Sequence, residues 1–283
     1  MRMKIGFHTS IQGSIDRAVD RALEIGCNTL QIFTRNPRGW AARPLRRGEV
    51  ESFIFKVDRG DIKPVFAHMP YLSNLASPRR DVHEKSVEAL ITEMRRCETL
   101  RIPYLVTHLG SHLGLGPKVG LENVIKAIER AFSATGEKII LLLENTAGAR
   151  NSVGGSFRDL QHIMERVSYS DKIGICFDTC HAFAAGYDLR TEEGIERIIE
   201  IIDGTVGFNK LKLVHLNDSR GDLNSRIDRH EHIGLGKIGE EGFRNILKSE
   251  LARLPLILET PMDGRRSDLE NMVKVKSLAN IKN

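Results

Sequence analysis

Short apolar runs alternate along this chain with longer segments in which apolar residues recur at helical spacing. The short runs predict eight strands, at residues 4–8, 28–33, 63–68, 104–108, 138–144, 173–178, 211–216 and 256–260. Between them the helical period predicts helices at about 14–25, 81–100, 121–134, 157–167, 192–202, 243–254 and 268–278, with a weaker one at 46–58. In the first helix Ile15, Ala18, Val19, Ala22 and Leu23 are expected on one buried face, with Ser14 as N-cap and Gly26 as the stop. Runs such as Ile139 to Leu143 and Leu256 to Leu258 are apolar on both faces, the mark of parallel strands covered on both sides. Eight strand and helix pairs in 283 residues favour an α/β chain folded as one (β/α)8 TIM barrel, a single domain over 1–283; periodicity alone leaves an open doubly wound sheet possible.

Composition narrows the class without deciding it. A hydrophobic fraction of 41% and a charged fraction of 28% are those of an ordinary soluble chain, and no apolar run approaches the roughly 20 residues of a membrane helix. The first residues run straight into a strand and carry no secretion signal, so a cytoplasmic protein with no membrane partner is expected. The four cysteines, Cys27, Cys97, Cys176 and Cys180, show no paired zinc spacing and are expected to be buried thiols. A net charge of +5 permits a polyanionic partner without requiring one.

The strand ends carry the chemistry. Six consecutive predicted strands finish on a good metal ligand: His68, His108, Glu144, Asp178, His215 and Glu259. In a barrel these ends gather over one mouth. His181, three residues after Asp178, and the pair Asp228 and His230, which share a face of an extended loop, are placed in loops just beyond. Five histidines and four carboxylates suit two or three ions better than one, and the nitrogen and oxygen set suits zinc, manganese or iron. Three divalent ions would outweigh four carboxylates, leaving a pocket that attracts phosphate. His8 also ends a strand and is expected to line the pocket without being a ligand; His83 and His162 are expected on helix surfaces, with His112 and His232 left open.

The segments around these residues resemble the endonuclease IV family, the second family of AP endonucleases. They are Leu142 to Gly148 around Glu144, Cys176 to Asp188 around Asp178 and His181, His215 to Ser219, Asp228 to Gly236, Phe33 to Arg38 and Leu258 to Pro261, which together span nearly the whole chain. The resemblance implies three ions, usually Zn2+ with Mn2+ or Fe2+ possible at some sites. It implies cleavage of the phosphodiester 5′ to an abasic site in duplex DNA, leaving a 3′-hydroxyl, with metal-activated hydroxide as nucleophile, in base excision repair. Carried over by motif, His68, His108 and Glu144 hold the first ion and Glu144 bridges to the second. Asp178, His215 and Glu259 complete that second site, and His181, Asp228 and His230 hold the third. Glu144 and Glu259 are the catalytic candidates, Glu259 also steering the attacking water.

The family resemblance further implies loops that probe kinked DNA with the damaged nucleotide flipped out. Arg38, Tyr71 and Leu72 stand where such loops carry them, on a chain expected to act as a monomer. Pro37 and the Met69–Pro70 pair depart slightly from that pattern and touch no ligand. Two rivals stand beside this reading: a sugar isomerase or epimerase on a similar barrel, and a metal-bearing DNA-binding protein without turnover. The third ligand set argues against the first, since one or two ions suffice for aldose chemistry; retention of all nine ligands argues against the second.

Overall fold

A computed structural model describes residues 3–280; the chain ends that the sequence assigns to the same domain lie outside the described residues. Eight parallel strands close into a barrel: β1 (Ile5–Thr9), β2 (Leu30–Phe33), β3 (Val65–His68), β4 (Tyr104–Thr107), β5 (Ile140–Glu144), β6 (Ile173–Asp178), β7 (Leu211–His215) and, after a two-stranded ribbon of β8 (Asp218–Ser219) and β9 (His230–Glu231), β10 (Leu256–Leu258). β1 pairs with β2 on one side and β10 on the other, which closes the ring and excludes the open sheet. Outside it run α1 (Arg17–Ile25), α2 (Arg47–Arg59), α3 (Arg80–Thr99), α4 (Pro117–Thr135), α5 (Phe157–Arg166), the short α6 (Thr179–Ala185), α7 (Glu192–Thr205), α8 (Gly239–Lys248) and α9 (Asp268–Leu278).

Two apolar clusters explain why the strands are apolar on both faces. The larger lies between the outward residues of the strands and the helices, for example Leu105, Leu141 and Leu143 against Ile128 and Phe132. The smaller fills the barrel with Phe66, Val106, Leu142, Cys176, Leu213 and Ile257, one from each of six consecutive strands. β1 contributes Gly6 to the interior, where a side chain would collide with the backbone of Thr29.

Most predicted elements stand within a few residues, and the departures have local causes. α1 starts at Arg17 rather than Ser14: Ser14 and Ile15 sit in a preceding turn, and Asp16 holds the N-cap position. Leu23 is not on the buried face but 44% exposed, lying over Gly60 at the rim, whereas Gly26 does end the helix in the left-handed conformation, φ 81°. The weakly patterned 46–58 segment is a genuine helix; only its Phe53 is fully buried, so its periodic signal is thin. α4 begins earlier, at Pro117, which is suited to a first helical turn. α8 ends at Lys248 because Ser249 is extended, and Glu250–Arg253 form a separate 3-10 turn. The helix α6 escapes sequence periodicity altogether, being only seven residues long with nearly every side chain buried.

Candidate metal centre

Side chains alternate along a strand, so the residue two positions beyond an inward core residue also points inward, one layer higher. His68, His108, Glu144, Asp178, His215 and Glu259 stand two residues beyond Phe66, Val106, Leu142, Cys176, Leu213 and Ile257 respectively. They form the top layer of the barrel filling. β1 and β2 complete it with His8 and Gln31, whose neighbours Phe7, Leu30 and Ile32 all face the outer core.

Glu144, fully buried, is the hub. Its Oε2 lies 3.1 Å from Nε2 of both His68 and His108, and its Oε1 lies 3.2 Å from His215 Nδ1 and 3.3 Å from His181 Nδ1. A second group joins Asp178, His215 and Glu259, with His215 Nδ1 3.8 Å from Asp178 Oδ2 and 3.4 Å from Glu259 Oε2. In the third, His181 Nε2 is 3.0 Å and His230 Nε2 3.9 Å from Asp228 Oδ1, and Asp178 leans in, its Oδ2 3.5 Å from His230 Nε2. All nine residues singled out in the sequence thus meet at one mouth. Asp178 belongs to two of the groups, a sharing that spacing along the chain did not suggest.

His181 is not on a loop. It sits in α6, whose N-cap is Asp178: Oδ1 accepts the His181 backbone N–H at 2.8 Å, leaving Oδ2 for His215 and His230. Nor is His230 on an unpaired loop, since β9 pairs with β8 and so returns the chain to the mouth.

The second nitrogen of each ring decides which nitrogen faces the centre. His68 Nδ1 donates to Met69 O (2.7 Å), His181 Nδ1 to Asn145 O (2.9 Å) and His230 Nδ1 to Glu259 O (3.1 Å), so Nε2 is the inward atom in all three. His215 is turned the other way, with Nε2 against Gln31 Oε1 at 2.9 Å and Nδ1 inward. Gln31 Nε2 in turn donates to Glu259 Oε1 at 2.8 Å. Among the described residues the inward Nε2 atoms of His181 and His230, like that of His8, are buried without a well-directed hydrogen bond; the nearest groups are carboxylates, Asp228 at 3.0 Å from His181 and Asp178 at 3.5 Å from His230. A buried ring nitrogen unpaired among carboxylates is costly unless something else takes its lone pair, and this nitrogen and carboxylate set fits divalent zinc, manganese or iron.

Electrostatics point the same way. Burial would raise the pKa of Glu144, but the charges of His108 and His215 and the surrounding hydrogen bonds hold it well below the ordinary range. Glu259 behaves alike, burial being overcome by His215 and by the 2.9 Å bond from His8 Nδ1. Asp228 is brought down to about 2 against its burial, chiefly by His181. Burial would depress His181 and His215, yet Asp178 and Asp228 raise the first, and Cys176 followed by Glu259 and Glu144 the second, well above the usual imidazole value. Burial pushes the Cys176 thiol, in the layer beneath His215, up to about 12, and its sulfur forms a further close group with Glu144 and His215.

Gln31, Asn145 and Asn217 were missed in the sequence. Asn145 brackets Asp178 with bonds to its backbone N–H (2.7 Å) and carbonyl (3.1 Å); Asn217 donates to Asp178 Oδ2 (2.7 Å) and accepts from the Glu259 backbone N–H (2.8 Å). A signal for Gln31 existed: in Thr29-Leu-Gln-Ile-Phe33 the polar residues alternate, which marks an inward polar position on an otherwise apolar strand. His8 bonds Glu259 Oε1 at 2.9 Å, its ring 4.2 Å from that of Phe33. Buried His232 bonds Asp263 and Asn271, His112 accepts backbone N–H groups of Gly114 and Gly116, and His83 and His162 are half-buried outside the site. All four cysteines are free and buried.

A family described as xylose isomerase-like TIM barrel matches residues 19–278. A probable endonuclease 4 of Methanoculleus marisnigri is 56% identical, covering 97% of this chain and 98% of its own, and one of Nitrosopumilus maritimus is 49% identical over 98% and 100%. The chain belongs to the endonuclease IV family. Its activity is that of an AP endonuclease, a DNA-repair hydrolase acting on DNA. The crystal structure of endonuclease IV from Thermus thermophilus superposes with a TM-score of 0.87 at 34% identity, covering 98% and 99% of the two chains. A D-tagatose 3-epimerase-like protein also superposes, TM-score 0.71 over 98% and 96% of the chains, but at 21% identity it shares the barrel alone. The sugar-enzyme rival therefore loses to endonuclease IV on sequence, and the inert DNA-binding rival loses with it. No described helix is long and apolar enough to cross a membrane.

Proposed function

We propose that this endonuclease IV holds three divalent ions, zinc foremost, and hydrolyses the phosphodiester 5′ to an abasic nucleotide in duplex DNA, leaving a 3′-hydroxyl. The observation that carries this reading is the convergence of two buried ring nitrogens, of His181 and His230, on the carboxylates of Asp228 and Asp178, beside donor groups for two further ions. His68, His108 and Glu144 hold the first ion; Glu144, Asp178, His215 and Glu259 the second; His181, Asp228 and His230 the third. When bound, such ions acidify water and neutralise charge on a phosphoryl group and its leaving oxygen. Glu144 joins two sites through its two oxygens, and Glu259, tethered by His8 and Gln31, keeps its carboxylate ionised to orient the attacking water.

The surroundings suit a flipped abasic nucleotide. A cavity of about 380 Å³ beside the ligands is lined by His68, Tyr71, Leu72, His108, Ala149 and Asp228. Tyr71 is 67% exposed, and its ring meets that of Phe33 in a T-shaped contact with centroids 5.0 Å apart, so the side chain is buttressed on one side and otherwise largely free. Leu72 is exposed on the same rim, and the exposed Arg38, outside the cavity lining, is near enough for its charge to act on the Tyr71 hydroxyl. These three side chains take the place of the lost base stacking, and an abasic nucleotide, with no base to unstack, enters at least cost. One chain supplies every ligand, in keeping with a monomer, and free cysteines with a DNA substrate suit the cytoplasm.

A duplex with one synthetic abasic site tests this, with metals counted per chain. The expected outcome is three ions, a single cut 5′ to the lesion with a polymerase-extendable 3′ end, and loss of cutting with a chelator. One ion per chain, or binding without cutting in metal-replete protein, would overturn it.

A further inference from the structure

The loop after β2, residues 34–46, carries Arg38 and Trp40 but no helix or strand, and among its apolar side chains only Leu45 packs on the core. Beneath it lies a charged cluster enclosed in the protein: Thr34, Arg35, Glu93 and Arg96 are 2%, 4%, 0% and 8% exposed. Glu93 and Arg96 lie three residues apart on α3 and so share a face. Glu93 accepts from Thr34 Oγ1 and from Arg35 Nε, each at 2.6 Å.

One carboxylate cannot neutralise two guanidinium groups; Arg96 Nε donates to Thr34 Oγ1 at 2.7 Å, and further N–H groups of both arginines go to backbone carbonyls of the loop. Arg35 Nη1 reaches Gly39 O (2.6 Å) and Trp40 O (3.0 Å), while Arg96 reaches Thr34 O (2.5 Å) and Arg43 O (2.8 Å). The loop carbonyls are thus the second counter-group of a buried positive charge. Moving the loop would strand those donors, which is strongly unfavourable away from water.

We infer that Glu93, with Arg35 and Arg96, positions the 34–43 loop so that Arg38 is presented to DNA in a fixed place, making Glu93 a positioning residue for damage recognition although it touches neither DNA nor the metal ligands. This inference rests on the reading of Arg38 as a DNA contact. The mechanism is preorganisation: a loop already ordered loses less freedom on binding.

Glu93→Gln keeps the shape and removes the charge. It is expected to raise KM for abasic duplex about tenfold, with kcat at saturating DNA and metal content within about twofold of the parent. Arg35→Lys keeps the charge but not the fork that spans Gly39 and Trp40, and is expected to act in the same direction should Glu93→Gln fold poorly. The decisive comparison is a double-mutant cycle with Arg38→Ala. Arg38→Ala should weaken abasic-DNA binding in the parent and have little further effect in Glu93→Gln or Arg35→Lys. If Arg38→Ala weakens binding and the effects simply multiply, the positioning role falls while the DNA contact stands. A silent Arg38→Ala removes the DNA contact and this inference together. Equal loss of kcat and metal would assign Glu93 to general stability and overturn the inference.

Discussion

At the scale of single residues, the centre is organised by the atoms that do not face it. Carbonyls of Met69, Asn145 and Glu259 and the amide of Gln31 each take one nitrogen of a histidine and so choose the other as the inward donor. Glu144 then ties four rings together through two oxygens. Replacing even an outer partner of a metal ligand commonly costs ten- to a hundredfold, so Glu144→Gln should reduce cleavage by at least about a hundredfold. Binding of abasic duplex, measured by anisotropy, should survive largely intact, because the rim is untouched; equal loss of both would remove Glu144 from the catalytic role. Tyr71→Ala belongs to the other half of the task. It removes a stacking surface of roughly 1 to 3 kcal/mol, so affinity for abasic duplex should fall about tenfold. Affinity for intact duplex should fall less, and a parallel fall would make Tyr71 a packing residue.

At the scale of elements, the strands were legible because parallel strands covered on both sides must be apolar, and the helices because an amphipathic stripe repeats. What was not legible had no period to show. α6 is too short, Leu23 sits at the margin of its stripe, and the start of α1 depends on an ion-pair cluster between helices. In that cluster Asp16 of the α1 N-cap binds Lys56 of α2 at 2.7 Å and Ser52 at 3.0 Å, and Lys56 also binds Asp20 at 2.6 Å. Burial pushes Asp16 up, but Lys56, Ser14 and Ser52 bring it down from 3.8 to about 2. A carboxylate with a lowered folded-state pKa stabilises fully above its unfolded value near 4, and that contribution disappears as pH falls through 2. Asp16→Asn should therefore cost about 2 kcal/mol in urea unfolding at neutral pH, with the gap from the parent narrowing between pH 4 and 2. A gap independent of pH would mean the cost comes from packing.

At the scale of the molecule, the barrel is a device for bringing residues that lie far apart in sequence into one layer. Ions that bind only the folded chain add to its stability by mass action, about 3 kcal/mol for each held at a hundred times its Kd. Stripping them with a chelator should lower Tm by on the order of 10 °C, with recovery on adding zinc. An unchanged Tm would mean that the ligand cluster is stable as a hydrogen-bonded core. The sequence by itself determined the eight strands, most of the helices that cover them and the six candidate ligands at the strand ends, because strand ends in a barrel converge whatever the loops do, while His181, Asp228 and His230 were expected in the loops just beyond them. Only the tertiary structure decided how those residues are used: that Asp178 caps one ligand's helix while facing two groups, that Gln31 turns His215 around, and that Glu93 anchors a loop it does not belong to. The last two depend on contacts between residues 184 and 58 positions apart, which no local period records, and the first, though its cap is local, depends on where the other groups lie once the strands have met.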